Sequence, residues 1–214
     1  MEVNLYINKF KEVRFNFYRW RYELGFVEKM MLALGFACLT GLLAQIRISL
    51  PWTPVPITGQ TFGVLLGAVI LGKWGGISQG FYVGIGAAGV PWFTAGNAGF
   101  AYLAGPTGGY LIGFIVAAFF VGYLVDRYVQ ARNLISMFGL MLFANFAIVY
   151  GIGMIYLYGW LSLSGVSIDI IGLLMMGMIP FIIGDTTKII LAATIAYGIT
   201  PKTSYTTNRD AKVL

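Results

Sequence analysis

From residue 134 to residue 162 the chain carries no Asp, Glu, Lys or Arg. A run of that length suits one solvent. Roughly 20 apolar residues wound as a helix cross the ~30 Å hydrocarbon core of a bilayer, where each backbone N–H and C=O must find its partner inside the helix. Further apolar runs cover residues 30–48, 108–125 and 169–199. With 58% hydrophobic and only 10% charged residues, the chain is an integral membrane protein of the all-α class by composition.

Two shorter apolar segments, 61–71 and 77–90, flank LGKWGG; each is too short to cross alone, and they read as a helical pair filled out by loops. The expected fold is a six-helix transmembrane bundle with long outer loops and both termini on one side. Basic residues identify that side. Lys73, Arg127 and Arg132 fall in the second and fourth connections, and Lys202, Arg209 and Lys212 follow the last span. The leader, residues 1–29, adds six more basic residues interleaved with aromatics, in the manner of a cytoplasmic or interfacial segment. By the positive-inside rule both termini are cytoplasmic. Residues 30–199 then form the membrane domain and 200–214 a cytoplasmic tail. Arg47 alone sits near the outer end of a span.

The residue inventory removes several function classes. No histidine is present and Cys38 is the single cysteine, so neither a disulfide nor histidine-dependent or metal-dependent catalysis is expected. No stretch matches GxxxxGK[ST], so any energy for transport comes from elsewhere. GIGAAG at 84–89 has the GxGxxG spacing but no strand before it and no acidic residue about 20 positions on, and is not a dinucleotide fingerprint.

Glycines spaced by four residues (Gly63 and Gly67, Gly80 and Gly84, Gly105, Gly109 and Gly113) predict close helix packing. Ala33, Ala37 and Gly41 continue the pattern along the first span. That stripe serves either an internal contact or a docking helix from outside.

Two features carry chemistry. The uncharged outer loop at 90–110 is too long for a connector and too apolar for disorder; its aromatics and Asn97 suit a lid over a ligand. In FIIGDTTKIILAA, Asp185 and Lys188 are three residues apart on one helix face, just past the distortion expected at Pro180 and Gly184. Charge inside a membrane segment costs a few kcal/mol and marks a ligand site, a relay or a self-paired structural lock.

TPVPITGQTFGVLLGAVILG at 53–72, AGNAGFAYLAGPTGGYLIGF at 95–114 and IPFIIGDTTK at 179–188 resemble the BioY family, the biotin-specific substrate-binding components of energy-coupling factor (ECF) transporters. The resemblance covers roughly residues 30–199. It implies a six-helix protein of a prokaryotic cell membrane that takes biotin from outside. Delivery inward then needs an ECF transmembrane coupling subunit and two cytosolic ATPase subunits. It matches the family's Asp and Lys to Asp185 and Lys188, its glycine-flanked asparagine to Asn97, and its docking stripe to Ala33 and Ala37. Tyr110 stands where some members have an arginine, and Gln60 is a further candidate for a ligand hydrogen bond. ATP would be used only by the partners, and no cofactor or metal is implied. Two other classes use the same residues: an ion or proton channel with Asp185 and Lys188 as relay, and an intramembrane hydrolase with Asp185 beside Thr186 or Thr187. The first has one carboxylate for a whole relay, and the second has no oxyanion hole.

Overall fold

The computed structural model describes residues 2–205; Arg209 and Lys212, used above to orient the chain, lie outside the described residues. Helix α1 (Glu2–Glu23) ends where Gly25 adopts an extended backbone, and α2 (Phe26–Gln45) follows as the first apolar span. A short antiparallel pair, β1 (Arg47–Ile48) and β2 (Ile57–Thr58), closes the proline-rich loop after it, with Arg47 opposite Thr58. Helices α3 (Gln60–Leu71) and α4 (Trp74–Ala87) are joined at Gly72, whose φ of +63° suits a residue without Cβ. After the short α5 (Phe100–Leu103) come α6 (Gly108–Arg127), α7 (Leu134–Phe143), α8 (Tyr150–Leu163), α9 (Ile170–Gly177) and α10 (Ile182–Ile199).

Among the described residues, four stretches are long and apolar enough to span a bilayer: Phe26–Gln45, Gly108–Arg127, Leu134–Leu163 and Ile170–Ile199. At ~1.5 Å per residue α3 and α4 reach only about 18 and 21 Å, in keeping with the short pair expected. Large apolar side chains such as Leu42, Ile135, Ile155 and Ile183 point outward, each at least two-thirds exposed. Hydrocarbon is the solvent such a belt fits.

Helix α6 lies at the centre, packed on α3, α4 and α8. The close approach needs glycine at one point above all: a Cβ on Gly122 would fall 2.0 Å from the Gly72 carbonyl oxygen. The glycine spacing works as expected on two helices. Gly63 and Gly67 receive Leu43 and Phe36 of α2, and Gly109 and Gly113 receive Tyr156 and Val149. On α4 it does not: Gly80 and Gly84 face open space.

One expectation needs correction, and two segments take definite form. The first span begins at Phe26 and ends at Gln45, earlier than the apolar run alone suggested, because Gly25 sets the break. Within the leader, Tyr18 and Arg21 are buried, and Arg21 bonds to Asp126 and Tyr205. The stripe of Ala33, Ala37 and Gly41 is an internal seam: both alanines are fully buried where α2 packs on α4, and Trp92 covers Gly41.

Candidate functional site

The last apolar run breaks where sequence places Pro180. Met178 leaves helical geometry, a 3-10 turn over Ile179–Phe181 follows, and α10 restarts at Ile182. Asp185 therefore sits in the first turn of a new helix, where the unpaired N–H groups favour a carboxylate. Lys188 follows on the same face and forms an ion pair with Asp185 Oδ1. The pair is buried, with side-chain exposures of 6% for Asp185 and 17% for Lys188.

Both groups are further held. Asp185 Oδ2 accepts from Tyr150 Oη at 2.7 Å and from Asn145 Nδ2 at 3.0 Å. Lys188 Nζ donates to the Thr58 carbonyl at 2.8 Å, which the β1–β2 pairing fixes in place. A carboxylate has about four acceptor sites and an ammonium three donors. Three acceptor sites and two donors are used, which leaves one of each for a ligand.

Asn145 and Tyr150 reach one oxygen because of a local backbone irregularity. Residues Ala144–Val149 form a π turn between α7 and α8, with the Tyr150 N–H bonded to the Asn145 carbonyl. In an α-helix residues five apart point in well-separated directions; the wider π turn brings them toward one face. Neither residue was singled out from sequence. An asparagine alone inside an uncharged span was the available signal.

Asp185 and Lys188 open into a cavity with about 530 Å³ of empty space, its mouth included. Tyr110, Phe114, Tyr150 and Phe181 form apolar walls, and Gln60, Thr61 and Thr107 add polar ones. Tyr110 is pinned by a 2.8 Å bond from its hydroxyl to the Gly177 carbonyl and stands edge-on to Tyr150. A Cβ on Gly153 would fall 2.4 Å from the Tyr110 ring, so this glycine makes room for the wall. Gln60 donates from Nε2 to Tyr82 Oη at 2.7 Å, while its Oε1 accepts from Thr58 Oγ1 at 3.0 Å.

Of the candidates read from sequence, Asp185, Lys188, Gln60 and Tyr110 share this cavity. Asn97 does not. It is exposed, donates to the Thr94 carbonyl at 2.7 Å, and lines an adjoining outer hollow with Arg47. Pro56, Thr94 and Tyr102 line both spaces and form the partition between them. The loop carrying Asn97 is ordered by Gln45, whose Nε2 donates to the Phe93 carbonyl at 3.1 Å and whose Oε1 accepts from the Gly96 N–H at 3.1 Å. Ala95 has φ +70°, a strained setting for a residue with Cβ, at the tip of that loop.

A lipid-facing helical bundle with a charged, aromatic-walled internal cavity defines an integral membrane protein built around a polar recess. Its family follows from comparison: the model of the BioY family matches residues 11–205, and the chain belongs to that family. The match also reaches into the leader, which the sequence motifs had left out. The chain is 49% identical over 142 residues to the probable biotin transporter BioY of Methanothermobacter thermautotrophicus, covering 65% of this chain and 90% of that protein. It is 39% identical over 150 residues to the biotin transporter BioY of Thermotoga maritima, covering 70% of this chain and 83% of that one. Among solved structures it is similar to the S-component for biotin from an ECF-type ABC transporter, with TM-score 0.70 and 27% identity over 80% of this chain and 89% of the other.

Proposed function

We propose that the chain is the biotin-binding subunit of an uptake system, holding biotin in the Asp185–Lys188 cavity and releasing it inward in concert with an ECF coupling subunit and two ATPase subunits. One observation carries this reading: a buried ion pair lines an aromatic-walled cavity, with one acceptor site and one donor not used by the described residues. Biotin needs that combination. Its ureido ring presents N–H donors beside a carbonyl acceptor, on an apolar bicycle that aromatic walls accommodate, and it ends in a carboxylate. Asp185 accepts from a ureido N–H, and Lys188 donates to the ureido carbonyl or to the tail carboxylate. Gln60 and Tyr110 shape the recess, and Asn97 acts from the outer hollow as part of a lid. Nothing favours the channel or the hydrolase.

In the same reading α3 and α4 complete a six-segment bundle with both termini in the cytoplasm. Support comes from Lys73 and Arg132, which lie at the end of the bundle away from the cavity: α3 starts at Gln60 in the cavity and ends at Leu71, two residues before Lys73. Retention of radiolabelled biotin by the purified chain in detergent tests the proposal. Saturable retention of about one biotin per chain, competed by unlabelled biotin and abolished by Asp185→Asn, is expected. Absence of saturable retention by the parent protein refutes it.

A further inference from the structure

A second cavity opens at the other end of α3, between α1, the start of α2 and the α3–α4 turn, with about 690 Å³ of empty space including its mouth. Arg21, Lys29 and Lys73 line it together with one acid, Asp126. That acid is already engaged: its Oδ1 accepts from Arg21 Nη2 at 2.6 Å and from Tyr205 Oη at 2.7 Å. Arg21 is 4% exposed, yet its Nε and Nη1 have no acceptor among the described residues. Lys29 Nζ donates to the Tyr22 carbonyl at 2.8 Å, a bond that neutralises no charge. Lys73 is exposed and has no partner among the described residues.

Among the described residues, the three cations in this lining have one carboxylate between them and no second anion. The rest of the lining indicates what the anion is attached to. Leu32, Leu71 and Trp74 form the apolar side of the same cavity, and Phe26 of α2, 69% exposed, packs edge-on against Trp74 at its margin. A charged recess whose apolar side runs out through Trp74 to the exposed Phe26 matches a molecule with a phosphate head and acyl chains. We infer that this cavity binds the phosphate group of an anionic membrane lipid, with Arg21, Lys29 and Lys73 on the headgroup and the acyl chains leaving past Leu32, Trp74 and Phe26. The bound lipid would tie α1 to the bundle.

Native mass spectrometry of the full chain, released from detergent containing equal amounts of phosphatidylglycerol and phosphatidylcholine, tests the inference. The parent protein should retain one phosphatidylglycerol in preference. At about 1 kcal/mol for each basic residue near an anionic surface, Lys29→Gln with Lys73→Gln should weaken that retention about thirtyfold. Biotin retention by that variant should match the parent, because neither lysine touches the first cavity. Lys29→Arg with Lys73→Arg keeps the charge and should keep the preference, which separates lost charge from lost folding. Equal retention of the two lipids by the parent, or undiminished phosphatidylglycerol on the glutamine variant, overturns the inference. Equal thermal stabilisation by inorganic phosphate or glycerol 3-phosphate also overturns it, by showing that the site takes a soluble anion without acyl chains.

Discussion

The molecule holds two buried acid–base clusters of similar composition and opposite design. Asp185 and Lys188 are neighbours on one helix turn, and their remaining bonding capacity faces a cavity. Arg21 and Asp126 are 105 residues apart, and Tyr205 closes on both. Beside them Arg132, 1% exposed, lies over the Tyr205 ring at 4.3 Å and donates to the carbonyls of Val125, Asp126 and Thr203. The hydrogen bonds that the second cluster makes join α1, α6 and the segment after α10, while Nε and Nη1 of Arg21 have no acceptor among the described residues. A local pair costs little chain order and is free to serve a ligand; a pair between distant segments fastens the fold.

That contrast predicts unequal responses to mutation. The largest loss of stability should come from Asp126→Ala, which strands Arg21 among Tyr18 and Tyr205. Removing one partner of a buried pair costs roughly 3 to 5 kcal/mol, and partial exposure of Asp126 places it near the lower figure. Thermal unfolding in detergent reads this, and biotin retention below the transition should be unchanged. A variant as stable as the parent would show that the cluster fastens nothing.

Next in size come the two residues that orient the carboxylate. Tyr150→Phe removes a hydrogen bond to a charged acceptor, worth about 1.5 to 3 kcal/mol, so biotin affinity should fall about tenfold or more. Asn145→Leu should act in the same direction. Unchanged affinity in both would mean that Asp185 needs no help to stay in place.

A smaller effect separates the clusters by pH. Lys202, beside Arg132, is pushed down to about 8 by burial first and then by the charges of Arg14 and Arg132. Between that value and its ordinary value the unfolded chain binds a proton that the folded chain does not, so stability should rise as pH increases from about 8 toward 10. Above the ordinary tyrosine range the sign reverses. Burial raises the hydroxyls of Tyr18 and Tyr205, so there the folded chain keeps protons that the unfolded chain loses, and stability falls. Lys202→Met should flatten the rise and leave the fall.

The smallest change expected is from Asn97→Ala. Its side chain is exposed and bonds only within its own turn, so biotin affinity should drop by less than about tenfold, the scale of one neutral hydrogen bond. Loss comparable to Tyr150→Phe would show that the loop closes over the ligand with Asn97 inside.

What the sequence disclosed follows the same division. Asp185 and Lys188 were legible because charge is conspicuous in an apolar run and residues three apart share a face. Gln60 and Tyr110 were reached by resemblance, and the structure brings both to that cavity. Asn145 and Tyr150 stayed hidden because a π turn lies outside the 3.6-residue period on which helix faces are read. Arg21 could not be placed either, since its partners Asp126 and Tyr205 come from the far ends of other segments. The alanine stripe shows the limit from the other side: small residues every four positions specify close packing, and only the fold says against what.

Asp185 and Lys188 serve the biotin cavity, whereas the bonds that Asp126, Tyr205 and Arg132 make in the distant cluster fasten the fold. Asp185→Asn combined with Lys188→Met removes both charges without leaving either one buried alone, which is often neutral for stability. Biotin retention and thermal unfolding should be measured on the same preparation of this double variant. Stability close to the parent with biotin retention lost is the predicted result. Parental biotin affinity in a stable double variant would contradict the account, because it would make the pair a structural lock like its counterpart at the other end of the bundle.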